Sequence, residues 1–384
     1  MNEFRVASLE RILPLGTKIL RINWLLVVLL CLAAMIGVAV LYSIANGSWT
    51  PRAAQHGVRF GVLLLVMLAL ALVDIRWWMA LAYPTYIVAL LLLVGVEVFG
   101  VKVMGAQRWL DLGPVRLQPA ELMKLALVLA LARYYHSLAV DRATSLRHIA
   151  LPAIMIAAPV LLILHQPDLG TAMLVGATGA AMVFLAGLSW RIIVIGAITG
   201  LVGGVTFLIF GLHDYQRARI ETFLNPERDP LGAGYHILQS KIALGSGGLV
   251  GKGFLGGTQS HLNFLPEKQT DFVFTALGEE FGFIGTLSVL VLYVLILLTG
   301  MMIAGQSRHS FGRLAAAGVC VTFSLYVLVN ISMVMGLIPV VGVPLPLISY
   351  GGTVMLTVMT GFALVMAVHI HRNVDLPSGR GFFL

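Results

Sequence analysis

The sequence predicts an all-α polytopic membrane protein with ten transmembrane helices and a long extracytoplasmic loop between helices seven and eight. Two observations support this fold class. Hydrophobic residues make up 59% of the chain and charged residues only 11%, against about 25% charged residues in soluble proteins. Apolar runs also recur along the chain, each long enough to cross about 30 Å of hydrocarbon as a helix. Since backbone groups in lipid must be paired within their own segment, these runs are helices.

The predicted spans follow one another with short connections. They cover residues 23–44, 57–74, 77–98, 119–138, 148–165, 170–188, 191–212, 272–304, 313–336 and 347–370. Only the sequence HQPDL separates the fifth span from the sixth, so these two are the least sharply defined. We therefore expect one transmembrane domain, 23–372, between an interfacial N-terminal segment, 1–22, and a tail, 373–384.

The distribution of Lys and Arg predicts the orientation. With the N-terminus inside, the cytoplasmic side has 13 basic residues and the outer short segments have 6, as the positive-inside rule requires. Both termini are then cytoplasmic and the long loop, 213–272, is extracytoplasmic. The net charge of +8 thus reflects membrane topology and does not indicate nucleic-acid binding. Cys31 and Cys320 both lie within spans, so no disulfide framework or metal pattern is predicted.

The segment RWLDLGPVRLQPAELMK, 108–124, opens the fourth span with charged residues. Pro119 suits a first helical turn, with Gln118 as the N-cap. Glu121 and Lys124 are three residues apart and share a helix face, so they can pair. One interpretation is a capping acid and a snorkelling lysine. The other, which we favour because a buried ion pair is costly, is a pair that lines a polar cavity.

Asp168 lies in the polar break HQPDLGT, 165–171, between two spans. It can cap the following helix or shape a site at the membrane surface. The sequence favours neither interpretation.

The glycine-rich loop, GSGGLVGKGFLGGT at 245–258, resembles a nucleotide-binding loop only superficially. Ser246 stands where that motif needs glycine, and Gly253 follows Lys252 where it needs Ser or Thr. With Lys241 and Lys252 nearby, the loop suits either a phosphate cradle or a plain flexible connection.

Asp271, in FLPEKQTDFVF at 264–274, stands at the outer mouth of the eighth span. An aspartate at this position is typical of a helix N-cap. A carboxylate at the edge of the membrane is equally a candidate catalytic group. From residue chemistry alone the two roles remain open.

With these residues considered together, the chain resembles the SEDS family (shape, elongation, division, sporulation). The resemblance is carried by QRWLDLG, QPAELMKLAL, HQPDLGTA, NPERDPLGAGYHILQSKIALGSGGLVGKGFLGGTQSHLNFLPEKQTDFVF and GLIPVVGVPLPLISYGG, which extend across roughly residues 23–372. The string GTQSHLNFLPEKQTDF is similar to the elongation branch more than to the division branch.

The resemblance implies a ten-helix peptidoglycan glycosyltransferase that polymerises lipid II at the outer face of the cytoplasmic membrane. The essential acid of the family's TDF motif corresponds to Asp271, which favours the catalytic role. Donor and product linkages of opposite anomeric configuration imply one displacement with inversion, with Asp271 as general base. The candidate substrate-binding residues are Arg108, Glu121, Lys124, Asp168, Lys241 and Lys268.

The same resemblance implies the partners and cofactors. A divalent cation (Mg or Mn) is expected to assist the leaving diphosphate, although no ligand set is visible and no organic cofactor is expected. The expected partners are lipid II, a class B penicillin-binding protein (a transpeptidase) and the rod-shape machinery around it.

Two alternatives use the same residues differently. A lipid II flippase would line a path with Glu121, Lys124 and Asp168, but the polar residues gather near one face of the membrane. A non-catalytic scaffold for the transpeptidase would not need Asp271.

Overall fold

The computed structural model shows an all-helical polytopic membrane protein with one small sheet. It describes residues 13–103, 106–111, 113, 116–138, 146–187, 233–262 and 267–376, with five isolated positions between 194 and 203. Within these residues, seven helices are long and apolar enough to cross a membrane.

The described residues form twelve helices and three short strands. In chain order they are α1 (Leu15–Leu20), α2 (Trp24–Ile44), α3 (Arg52–Ala71), α4 (Ile75–Phe99), β1 (Val101–Val103), β2 (Ala106–Asp111), β3 (Arg116–Leu117), α5 (Pro119–His136), α6 (Leu146–His165), α7 (Leu169–Leu185), α8 (Ala233–Ser246), α9 (Thr258–His261), α10 (Val273–Gln306), α11 (Ser310–Val334) and α12 (Gly352–Ile370).

Nine of the ten predicted spans coincide with a helix, and the remaining one, 191–212, lies outside the described residues apart from isolated positions. The predicted start of the last span is wrong by five residues, since α12 begins at Gly352. Residues 347–351, which the sequence analysis placed within the span, instead continue a loop in which Pro344 and Pro346 lack the backbone N–H that a helix needs and Leu347 has a φ of 64°. We call residues 335–351 the α11–α12 loop.

The expectation of a purely helical chain misses a three-stranded antiparallel sheet between α4 and α5, in the order β1-β2-β3. Asp111 pairs with Arg116 across the second ladder. The Gln107 side chain donates to the Val96 carbonyl at 2.8 Å and so attaches the sheet to the end of α4. Because this segment lies between the predicted spans 77–98 and 119–138, its backbone is not required to pair within a helix. The sheet holds Arg108 over the start of α5.

The core of the bundle is formed by α5, α11 and α12, which are mostly enclosed by other helices. α5 packs against α4, α7 and α11, and α12 packs against α3. α10 bends at Gly282, whose φ of 65° is non-helical. Polar residues in the enclosed helices cannot reach lipid or water, so they must find partners inside the bundle.

Candidate active site

Asp271 lies in a tight turn immediately before α10. The N-cap of that helix is Phe272, which makes no side-chain capping hydrogen bond, so Asp271 lies one residue before the position that the capping alternative gave it. The Glu267 carbonyl accepts from the backbone N–H groups of Thr270 and Asp271, both at 3.1 Å. The Asp271 side chain is half-buried, which leaves it partly accessible.

The α11–α12 loop holds this turn in place. The Tyr350 backbone N–H donates to the Gln269 carbonyl at 2.8 Å, and the Ser349 hydroxyl donates to the Thr270 carbonyl. Gly342, at φ 72°, lies against the carboxylate: a Cβ there would be 3.4 Å from Asp271 Oδ2. Glycine suits both the positive φ and the close approach.

Asn330, near the end of α11, is the most direct support for Asp271. Its buried amide donates to the Asp271 carbonyl at 2.9 Å and to the Val343 carbonyl at 2.6 Å. Sequence reasoning missed Asn330 and also Tyr326. The sequence feature that could have identified them is their spacing of four residues, which puts two polar side chains on one helix face in an otherwise apolar span.

The predicted pairing of Glu121 with Lys124 is present and fully buried. Lys124 Nζ is 2.7 Å from Glu121 Oε1 and donates to the Tyr326 hydroxyl at 2.5 Å. That hydroxyl in turn donates to Glu121 Oε2. The three side chains satisfy one another between α5 and α11, which is how a buried ion pair becomes tolerable. Gln118 is the N-cap of α5, as expected, but its side chain makes no capping hydrogen bond.

Asp168 is the N-cap of α7, where its carboxylate accepts from the Thr171 N–H at 3.2 Å. The same buried carboxylate lies 3.6 Å from Arg108 Nε, and Gln118 donates to it at 3.4 Å. Arg108 also donates to the Pro167 carbonyl. The structure thus shows the capping role, one of the two that the sequence left open, and Asp168 additionally connects β2 and α5 to the HQPDLGT break.

The first turn of α7 and the Asp271 turn both contact the α11–α12 loop, at Val341 and Gly342. A Cβ on Gly170, in the first turn of α7, would be 2.7 Å from the Val341 carbonyl oxygen, while the adjacent Gly342 faces Asp271. Tyr326, which bonds the Glu121–Lys124 pair, and Asn330, which bonds the Asp271 carbonyl, are four residues apart on one face of α11. The structure therefore brings four separate sequence motifs into one polar region: RWLDLGPVRLQPAELMK, HQPDLGT, FLPEKQTDFVF and GLIPVVGVPLPLISYGG.

Of the two remaining predicted lysines, Lys241 lies near the start of the α11–α12 loop, and Lys268 is adjacent to Gln269, which bonds Tyr350 near the end of the loop. Lys241 is exposed on α8 and lies over Gly336, where a Cβ would be 2.8 Å from its Nζ. Lys268 is three residues from Asp271. Burial, and secondarily the charge of Arg52, lowers the pKa of Lys268.

Two arginines of α3 that the sequence analysis did not single out lie near Tyr350 and Lys268. Arg59 lies over the Tyr350 ring, 4.9 Å from its centroid. Arg52 is seven residues earlier on α3 and acts electrostatically on Lys268. Within the described part of the chain, no carboxylate lies within 4 Å of either guanidinium. A spacing of seven residues puts both on one helix face, which is the signal that could have identified them.

The glycine-rich loop packs on the bend of α10. The N–H groups of Lys252 and Gly253 donate to the Glu279 and Glu280 carbonyls at 3.0 and 2.9 Å. Lys252 Nζ is 2.6 Å from Glu279 Oε1. These donors are therefore used within the protein and do not bind a phosphate. The loop is also not a plain flexible connection, because its backbone is bonded to α10.

No group of three His, Cys, Asp or Glu side chains suited to a metal ion is found among the residues that the structure describes. The protein groups present here thus do not form a cation site by themselves, and we derive no step through a metal.

Comparisons with known proteins agree with the motif resemblance. The family of cell cycle proteins FtsW, RodA and SpoVE matches residues 18–374. The peptidoglycan glycosyltransferase MrdB of Escherichia coli (strain K12) is 48% identical over 311 residues, which is 81% of this chain and 84% of MrdB. Stage V sporulation protein E of Bacillus subtilis (strain 168) is 36% identical over 365 residues, 92% of this chain and 97% of that protein.

Two solved structures have the same fold. A chain of a peptidoglycan synthase complex superposes with a TM-score of 0.79 at 34% identity and covers 92% of this chain and 99% of its own length. The rod shape determining protein RodA of Thermus thermophilus superposes with a TM-score of 0.69 at 31% identity and covers 92% of this chain and 98% of its own. The chain therefore belongs to the FtsW, RodA and SpoVE family of cell cycle proteins, the SEDS family that its motifs resemble.

Proposed function

We propose that this chain polymerises lipid II into glycan strands during lateral cell-wall elongation, with Asp271 as the general base. Membership of the family, together with 48% identity to the peptidoglycan glycosyltransferase MrdB, makes it a peptidoglycan glycosyltransferase of the rod-shape system. Identity to an FtsW of Escherichia coli is lower, 36%, which agrees with the elongation branch.

The observation that carries the catalytic role is the placement of Asp271. It stands ahead of the α10 N-cap, half-buried, with its backbone carbonyl held by Asn330. A general base must be held at a defined position to accept a proton from a substrate hydroxyl. The contact with Asn330 anchors the backbone at Asp271 and so fixes the position of this residue relative to the start of α10.

The reaction is a single displacement at the anomeric carbon of the donor sugar. Asp271 accepts the proton of the acceptor 4-hydroxyl, whose oxygen forms the new glycosidic bond. The bond from that carbon to the diphosphate oxygen breaks on the opposite face, and the electron pair leaves with undecaprenyl diphosphate. Inversion converts the α linkage of the donor to a β linkage.

The departing diphosphate requires positive charge, and the candidate cations are Arg108, Lys124, Lys241 and Lys268. Arg108 and Lys124 each have a carboxylate partner, so we assign them to shaping the site together with Asp168 and Glu121. Lys268 is only three residues from Asp271 and is our first candidate for the diphosphate, and Lys241 is the second. A divalent ion would be held jointly with the diphosphate.

The proposal includes a membrane arrangement and a partner. Ten helices cross the cytoplasmic membrane, both termini are cytoplasmic, and Asp271 faces outward, where lipid II is used. A class B penicillin-binding protein cross-links the product. Similarity to a chain of a peptidoglycan synthase complex supports an assembled enzyme.

The test is glycan synthesis from lipid II by the purified chain with its transpeptidase partner in detergent. We expect Asp271→Asn to abolish polymer while the protein remains folded and bound to the partner. Asp375→Asn, which changes an exposed carboxylate near the end of α12, is the matched control and should retain activity.

Polymer formation in detergent also excludes a pure flippase, because there is no membrane to cross. Full activity of Asp271→Asn would refute the general-base role. A scaffold would be indicated if this variant also supported normal cell shape.

A further inference from the structure

The glycine-rich loop has apolar side chains that face outward from a well-anchored backbone. Leu249 and Val250 are 71% and 74% exposed, and Phe254 and Leu255 also present apolar surface. Four large apolar side chains within seven residues of a loop are unusual on a surface that faces water.

The backbone beneath these side chains is held by α10. The Phe283 N–H donates to the Gly248 carbonyl at 2.9 Å, and the Ile284 N–H donates to the Leu249 carbonyl at 3.1 Å. At Gly251, which has a φ of 80°, a Cβ would be 2.1 Å from the Glu280 carbonyl oxygen. The loop tip therefore presents its apolar side chains in a defined direction.

The position of the bend in α10 gives the depth of this loop relative to the bilayer. From Gly282 to Gln306 the helix rises about 36 Å at 1.5 Å per residue, enough to cross the hydrocarbon core of roughly 30 Å. The loop thus contacts the first turn of the membrane-crossing part. Phe283 and Ile284 in that turn are each 58% exposed, as expected of lipid-facing residues.

Aromatic residues lie at the same depth as the glycine-rich loop. Tyr42, at the end of α2, stacks on Phe254 with ring centroids 6.2 Å apart, and it contacts the exposed Trp49 at 6.0 Å. Trp and Tyr concentrate where the hydrocarbon meets the headgroups. Leu249 and Val250 thus extend the lipid-facing surface of α10 sideways at the interface.

We propose that the tip of the glycine-rich loop inserts Leu249 and Val250 into the adjacent membrane leaflet and anchors the loop at the lipid surface. The occupant of this apolar face is phospholipid, because the face is continuous with the lipid-facing side of α10. In the orientation proposed above, this is the outer leaflet. The anchoring does not depend on the polymerase activity.

Spin-label accessibility in nanodiscs made of phosphatidylglycerol tests this proposal on the whole chain. A nitroxide is attached to Val250→Cys, to Phe283→Cys as the lipid-facing control, and to Arg116→Cys as the water-facing control. The native Cys31 and Cys320 are replaced by alanine. We expect the label at 250 to collide with oxygen in preference to a water-soluble nickel chelate, at a ratio close to that at 283 and several-fold above that at 116. A ratio close to that at 116 would overturn the proposal.

A second measurement does not depend on the cysteine variants. A photo-crosslinking amino acid at Leu249 in intact membranes should yield adducts with phospholipid. Adducts mainly with a protein would overturn the proposal and identify this face as a protein docking surface.

Discussion

Asn330 connects α11 to the Asp271 turn and to the α11–α12 loop. Its replacement is expected to lower kcat while KM for lipid II changes little. The side chain is completely buried. Its amide donates to the Asp271 and Val343 carbonyls at 2.9 and 2.6 Å. Asn330→Ala removes both hydrogen bonds and leaves two buried acceptors without this donor, while the Asp271 carboxylate itself is unchanged.

The expected magnitude follows from these contacts. Two buried hydrogen bonds, each with a net contribution of about 1 kcal/mol, and the desolvation cost of acceptors left without them predict a loss of about 2–4 kcal/mol in unfolding free energy. The effect on turnover is separate. If the Asp271 turn shifts by about 1 Å, a general base loses roughly 10²-fold in kcat. Because lipid II binding relies on other residues, KM should change little.

The assay compares polymerisation rate, KM for lipid II and thermal unfolding of the purified complex. Ser240→Ala is the matched control. The Ser240 hydroxyl is also buried, donates to the Val334 carbonyl at 2.8 Å and bonds the Thr275 hydroxyl at 2.8 Å, but it does not touch the Asp271 turn. We expect Ser240→Ala to be destabilised with kcat nearly unchanged.

Equal losses of kcat in the two variants, at equal loss of stability, would refute the positioning role of Asn330. Loss of activity through a raised KM alone would also contradict it, since that result would place Asn330 in substrate binding.

Three further predictions concern the surrounding residues. Lys124→Met should cost about 3–5 kcal/mol because Glu121 is left charged and buried, and adding Glu121→Gln should recover part of the loss, as measured by thermal unfolding. If the Lys268 cation binds the diphosphate, its lowered pKa means that it loses its proton at a lower pH than an ordinary lysine. The alkaline limb of the pH–rate profile should therefore move to higher pH in Lys268→Arg, since arginine remains charged, and an unmoved limb would remove Lys268 from this role. Gly251→Ala should destabilise the protein by about 1–3 kcal/mol at its positive φ, whereas Gly245→Ala, in open space within α8, should be neutral or stabilising by up to about 1 kcal/mol; equal effects would contradict this account.

Several parts of the fold were predictable because they depend on local chemistry. A long apolar run must be a helix in lipid, and Pro119 with Gln118 before it placed the start of α5 correctly. The pairing of Glu121 with Lys124 followed from their spacing of three residues. The capping role of Asp168 was one of two open alternatives, and the structure shows it together with the contact to Arg108.

Other parts required partners that are distant in sequence. Tyr326 is 202 residues from Lys124, and Asn330 is 59 residues from Asp271, so no local pattern could connect them. The sheet that carries Arg108 was missed because its strands are only 3, 6 and 2 residues long. The role of the glycine-rich loop was missed because it depends on the bend at Gly282, which provides the surface against which the loop packs.

The amino-acid sequence alone determined that this chain crosses the membrane many times, belongs by its motifs to a family of cell-wall polymerases, and has Asp271 as its candidate base. These conclusions rest on hydrophobic run length, charge distribution and contiguous motifs, all of which are local properties. The tertiary structure decided which polar residues meet. Among the described residues, Glu121, Lys124 and Tyr326 pair with one another between the enclosed helices α5 and α11, and Asn330 reaches Asp271 because α11 ends beside the start of α10. Buried polar groups must be paired, and only the packed helices show how.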